Sequence, residues 1–142
     1  MSDRIATVQP VSETSATGRV AQIYADIKKT KNIEFVPNFW RVLATNPDLL
    51  DLVWTRLKFL MHPEAVGRAS KIDALTRELI ALAVSATNGC SYCIHSHTAN
   101  ARAKGMSEEE YREVLAIVGM ASETNRLVTA LGVPIDEAYE VG

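Results

Sequence analysis

The chain has 142 residues, enough for one domain with its own core and too few for a multidomain assembly. Fifteen Lys and Arg against seventeen Asp and Glu leave a formal charge of -2, without the basic excess that gripping nucleic acid phosphates requires. Its 47% hydrophobic and 23% charged residues are an ordinary globular balance, with no run of 18 or more uncharged apolar residues, so neither a nucleic acid partner nor a membrane span is expected. The first residues, Met1-Ser-Asp-Arg-Ile-Ala-Thr, lack the apolar stretch of a secretory signal. Only two cysteines are present, Cys90 and Cys93, too few for a disulfide scaffold, and a reducing cytoplasm is the expected location.

In chain order, residues 1–16 are polar and irregular, with Pro10 and a Ser/Thr-rich stretch, and are expected to form an N-terminal arm that docks on a neighbouring subunit. Residues 17–142 then form a single helical domain. A first helix is predicted from Gly18 to about Lys29, capped by Thr17, with Val20, Ile23, Tyr24 and Ile27 on one face. Pro37 and Asn38 open a second, from Phe39 to about Thr45. Pro47 starts a third, whose stripe reads Leu49, Leu52, Val53, Arg56, Leu57 and Leu60.

His62-Pro63 ends that helix, and Ser70 is the expected cap of the next. Residues 72–86 are apolar nearly all round, as in a helix from the middle of a domain. Asn88-Gly89 closes it, and a further helix runs from about Cys90 to Lys104, stopped by Gly105. Ser107 with Glu110 is a capping box opening a helix to about Ser122, and 123–131 either continue it or form another. Strand-type alternation is absent, so the fold class is all-α.

The chemistry concentrates in Glu78, Cys90, Cys93 and His97. On a helical wheel Cys90, Cys93 and His97 share one face, while His95 points the other way. A thiol at a helix start faces unpaired N–H groups and the positive end of the dipole, which favour its thiolate. An imidazole one turn beyond Cys93 can accept or deliver a proton. Two thiols on one turn can close a disulfide after one is oxidised to sulfenic acid. Glu78 sits among apolar neighbours in the preceding helix, and a buried carboxylate needs a partner. On an antiparallel helical hairpin it can reach His97 directly or through water, and it would orient the ring and stabilise its charged form.

The pattern Glu78-x11-Cys90-x-x-Cys93-x3-His97 resembles the signature of the alkylhydroperoxidase D-like (AhpD-like) group of the carboxymuconolactone decarboxylase superfamily. The resemblance covers roughly Pro37 to Val118, including Asn46-Pro47, Arg77-Glu78 and Gly105. It implies an AhpD-like helical domain with a two-helix core hairpin carrying the cysteines, assembled as a homo-oligomer, a trimer or a hexamer, and working as a thiol-dependent peroxidase. By the same resemblance Cys93 attacks the peroxide, and Cys90 resolves the product to a redox-active Cys90–Cys93 disulfide. Glu78 and His97 relay a proton from Cys93 through water, and a lipoyl-bearing or thioredoxin-like dithiol protein restores the thiols. No other cofactor and no metal is implied. The dipole alone favours Cys90 as the thiolate, which fits if Cys90 is the exposed sulfur that the reductant meets. Where the best-known branch has histidine before the second cysteine, this chain has Tyr92, whose phenol can donate a hydrogen bond but is no base near neutral pH.

Other readings compete. Two cysteines can be small buried hydrophobes, and Glu78, Cys90, Cys93 and His97 number enough for zinc, although structural zinc sites usually draw ligand pairs from separate segments. Ile94 stands where haem attachment needs histidine. Glu78 can simply pair with Arg77 or Lys71. A redox sensor, a disulfide reductase module, or a decarboxylase-branch enzyme using Glu78 and His97 without redox chemistry are the alternative functions.

Overall fold

The computed structural model describes residues 6–140, and these are helical, with six α-helices and two short 3-10 turns among the described residues. They fall into two compact units, one within Met1–Lys71 and one within Ile72–Gly142.

The first unit holds α1 (Gly18–Lys31), α2 (Asn38–Leu43), α3 (Pro47–Met61) and a 3-10 turn, Pro63–Val66. Thr17 stands at the start of α1 but its side chain makes no capping bond. The Ile23, Tyr24 and Ile27 face is buried as the periodicity requires, against Val36, Trp40, Ala44, Leu50 and Trp54. The Trp40 and Trp54 rings meet edge to face at 5.1 Å, an arrangement contributing about 1 kcal/mol beyond the area it buries.

The apolar stripe of α3 is displaced from the one expected. Leu50 and Trp54 are buried and Val53 and Leu57 pack beside them, whereas Leu49, Leu52 and Leu60 are exposed, Leu52 by 71%. Two overlapping stripes run side by side along this helix, and the one carrying Trp54 buries the larger surface. Its indole N–H also finds an acceptor, Asp26 of α1, at 2.7 Å, and Lys58 holds the same carboxylate at 2.8 Å.

From residue 6 onward the arm docks on α1 and α2 of its own chain; residues 1–5 lie outside the described residues. The Val11 N–H donates to the Arg41 carbonyl at 3.0 Å and the Tyr24 hydroxyl donates to the Val11 carbonyl at 2.9 Å. Glu13 accepts the Val36 N–H at 2.8 Å and pairs with Lys28 at 2.9 Å. These bonds satisfy backbone groups that an extended arm would otherwise leave to water.

The second unit holds α4 (Ala74–Asn88), α5 (Ser91–Ala103), α6 (Glu108–Leu131) and a 3-10 turn, Glu137–Tyr139. Asp73, not Ser70, caps α4: its carboxylate accepts the Thr76 N–H at 2.9 Å and the Thr76 hydroxyl at 2.6 Å. Aspartate immediately before the first turn meets the free N–H groups there, while Ser70 is a full turn too early. The capping box at α6 is complete, and α6 continues unbroken through Leu131. Ile80 and Val84 on α4 and Ile117, Met120, Leu127 and Val128 on α6 are half exposed. Among the described helices α6 alone is long and apolar enough to cross a membrane, by length and composition, and Glu123 and Arg126 lie along it.

Asp26→Ala strands the buried Trp54 N–H and is expected to destabilise the protein by about 2 kcal/mol, whereas Asp26→Asn, which keeps an acceptor, costs less. Urea unfolding of both variants checks this.

Candidate redox site

The site is built by the shortest connection in the second unit. Gly89, at φ 72°, ends α4 in the left-handed conformation that glycine adopts without strain, and Cys90 is already the N-cap of α5. The Cys90 N–H turns back to the Ser85 carbonyl at 3.0 Å, so the cysteine backbone is tied to the end of α4.

Cys90 fills the role that serine or aspartate usually fills. Its sulfur accepts the Cys93 N–H at 3.3 Å, one of the unpaired donors of the first turn. The Cys93 thiol also donates to it, and together these bonds hold Cys90 below the ordinary thiol range. Cys93 goes the other way: donating its proton to Cys90, with burial added, pushes its thiol up to about 11. Of the two thiols Cys90 is therefore the first to give up its proton and Cys93 the one that keeps it, the order that the helix start favours.

One turn beyond Cys93, the His97 ring lies with Nδ1 2.8 Å from Glu78 Oε2, the direct contact that the hairpin geometry allows. An ionised carboxylate only accepts, so Nδ1 carries the hydrogen and Nε2 is left as the basic nitrogen. Glu78 is 2% exposed. Burial pushes its carboxyl up, but the His97 hydrogen bond and the charge of Lys104 outweigh it and hold the group below its ordinary value. His95 faces away and bonds the Ser91 carbonyl of its own helix at 2.8 Å.

Lys104 was not singled out by the sequence pattern. Its Nζ lies 3.4 Å from Glu78 Oε1, so each carboxylate oxygen faces its own partner. The signal was present: Lys104 follows His97 by seven residues, two helical turns, and so falls on the side of the wheel that carries Cys93 and His97. Three of the four expected residues and this lysine thus form one stripe on α5, and Glu78 faces it from α4. Among the described residues no three His, Cys, Asp or Glu side chains gather at metal-binding distance.

An all-helical hairpin with Cys-x-x-Cys at its turn and a Glu–His pair beside it defines a recognisable class. The chain belongs to the carboxymuconolactone decarboxylase family, whose model matches residues 53–136, and within it is AhpD-like. The crystal structure of an alkylhydroperoxidase AhpD core from Rhodospirillum rubrum is 48% identical, superposes with a TM-score of 0.88, and is covered along 100% of its chain by 98% of this one. An alkyl hydroperoxide reductase AhpD from Solibacter usitatus is 45% identical over 97 residues, 68% of this chain and 50% of that protein. An (R)-2-haloacid dehalogenase from Pseudomonas putida is 28% identical over 110 residues, 78% of this chain and 35% of that protein. The chain therefore spans half or less of the length of these two curated relatives.

Two outcomes are expected from the geometry. In reduced protein near neutral pH, iodoacetamide alkylates Cys90 at least about tenfold faster than Cys93, read by peptide mass spectrometry. Glu78→Gln costs about 3 kcal/mol at neutral pH, because His97 and Lys104 lose the anion they face. A carboxyl held below its ordinary 4.5 stabilises the fold fully above that value and stops doing so as the pH falls through its folded value. The gap between Glu78→Gln and the unmodified protein, read from urea midpoints, narrows below pH 4.5.

Proposed function

We propose that the chain is a thiol-dependent peroxidase that reduces an organic hydroperoxide or hydrogen peroxide through Cys90 and Cys93. The observation that carries this reading is the 2.8 Å His97–Glu78 contact one turn beyond Cys93, with Nε2 left as a base on the face that carries the cysteines. Its AhpD-like membership supports it, as does its similarity to the Rhodospirillum alkylhydroperoxidase and the Solibacter alkyl hydroperoxide reductase.

In this reading His97 takes the Cys93 proton, directly or through water, and Glu78 stabilises the imidazolium. The Cys93 thiolate attacks the distal peroxide oxygen, the O–O bond breaks, and the alkoxide leaves with a proton from His97 as alcohol. Cys93 is then a sulfenic acid. Cys90 attacks the Cys93 sulfur, the S–O bond breaks and the hydroxide leaves as water with the Cys90 proton, so the two electrons that reduced the peroxide are now missing from a Cys90–Cys93 disulfide. A dithiol protein, lipoyl-bearing or thioredoxin-like, returns them by attacking Cys90, the better placed sulfur at the helix start. The chemistry suits a reducing cytoplasm and needs no further cofactor or metal. The half-exposed apolar residues of α4 and α6 support a homo-oligomer, a trimer or a hexamer.

A second reading is favoured by the charge on Cys90: thiol–disulfide exchange, in which Cys90 attacks an external disulfide and Cys93 releases the mixed disulfide. Steady-state reduction of cumene hydroperoxide with dihydrolipoamide or thioredoxin as donor separates the two. Peroxidase chemistry requires that Cys93→Ser abolish turnover and that His97→Gln and Glu78→Gln lower kcat about 100-fold. Full peroxide consumption by Cys93→Ser, with loss of disulfide reduction in Cys90→Ser, would leave the second reading standing.

A further inference from the structure

We propose that Lys104 is a positioning residue that sets the pH at which the Glu78–His97 pair gives up its proton. As a role in catalysis this rests on the proton relay proposed above; as a coupling of charges it stands on the geometry alone. The buried carboxylate faces two cations of different kinds, the His97 ring at 2.8 Å, which gains and loses charge, and the Lys104 ammonium at 3.4 Å, whose charge is fixed. Glu78 is nearly inaccessible, with its side chain 3% exposed, whereas that of Lys104 is 30% exposed and its aliphatic stem can shield the pair from water.

The consequence follows from counting charge. With Lys104 present, the site is neutral when His97 is neutral and carries +1 when the ring is protonated. With Lys104 replaced by an uncharged side chain, those two states carry -1 and 0. Inside a poorly solvated site the second arrangement holds its proton more firmly, so the pair stays charged to higher pH and gives up its proton less readily. Lys104 thus favours release of the ring proton, which the departing alkoxide needs.

On α4 itself the adjacent cation, Arg77, donates to the Ile72 carbonyl at 2.6 Å. From α5 the facing groups are His97, Lys104 and, toward the helix start, Cys93 and Cys90. Arg102, the remaining cation in the last turns of α5, is engaged by Glu108 at 2.7 Å and lies over the Tyr111 ring. The groove between α4 and α6 opens against residues 83–88, C-terminal to Glu78, and its lining carries no charged side chain.

The test is an NMR titration of the histidine ring nitrogens in the reduced protein, with Lys104→Met and Lys104→Arg beside the unmodified chain. Lys104→Met keeps the aliphatic stem and removes the charge, and Lys104→Arg restores the charge. The titration midpoint of the coupled pair is expected to rise by about one unit in Lys104→Met and to stay in place in Lys104→Arg. The acid limb of the kcat/KM profile for hydroperoxide moves up by the same amount. A midpoint unchanged in Lys104→Met, or moved equally by both substitutions, overturns the proposal. Because the midpoint is read without peroxide, a shifted midpoint in a protein with no peroxidase activity upholds the charge coupling while overturning the relay.

Discussion

A carboxylate buried among apolar side chains is costly in any fold, and Glu78 of α4 is nearly inaccessible. Its two oxygens dictate much of what surrounds it. One requires an N–H donor and fixes the His97 ring with Nδ1 inward; the other faces the Lys104 ammonium near the end of α5. For both to be met, α5 must return antiparallel along α4 with little freedom in register. The connection that achieves this is Gly89 and the N-cap Cys90 alone, so the residue that makes the turn is also one of the two thiols. Displacing α5 by one turn would carry His97 about 5.4 Å from its carboxylate, leaving a buried anion unpaired.

The sequence was readable where a physical requirement is local. Helical spacing of apolar residues marks the buried face of α1, serine and glutamate three apart mark the start of α6, and glycine after a helical run marks the end of α4. It was less readable where two local solutions are nearly equal. Along α3, Leu49, Leu52 and Leu60 make as good a stripe as Leu50, Trp54 and Leu57, and the choice between them depends on Asp26, 28 residues away, which offers an acceptor to the Trp54 indole. No window on α3 alone contains that information. Ser70 is of a cap-forming type, yet the helix starts at Asp73, whose carboxylate takes two hydrogens from Thr76.

The site follows the same division. Four of its residues stand out because their spacing is unusual, and the pairing of His97 with Glu78 could be read from two helices and a turn. Lys104 was passed over because a lysine before a glycine at a helix end already has a sufficient local explanation, the attraction of cations to the C-terminal dipole. Only the depth of Glu78 gives that lysine a second role, and depth is a property of packing, which periodicity describes imperfectly. The apolar surfaces of α4 and α6 make the complementary point: composition placed α4 in an interior, while the chain by itself leaves Ile80 and Val84 half uncovered.

The two thiols finally explain what the proposed proton relay would be for. Helix geometry stabilises negative charge at Cys90, and the Cys93 thiol adds a hydrogen bond to the same sulfur, so each thiol's state depends on its neighbour. A dithiol arranged this way keeps a ready nucleophile at the turn for another sulfur compound, and keeps the second sulfur protonated until a base removes that proton. The base has to lie on the same face, one turn on, and it has to change charge without moving. His97, held at Nδ1 by an anion that is itself held by a fixed cation, meets both conditions. The order in which the cysteines lose their protons is thus set by the helix start, and in the proposed peroxide chemistry its reversal depends on the buried carboxylate.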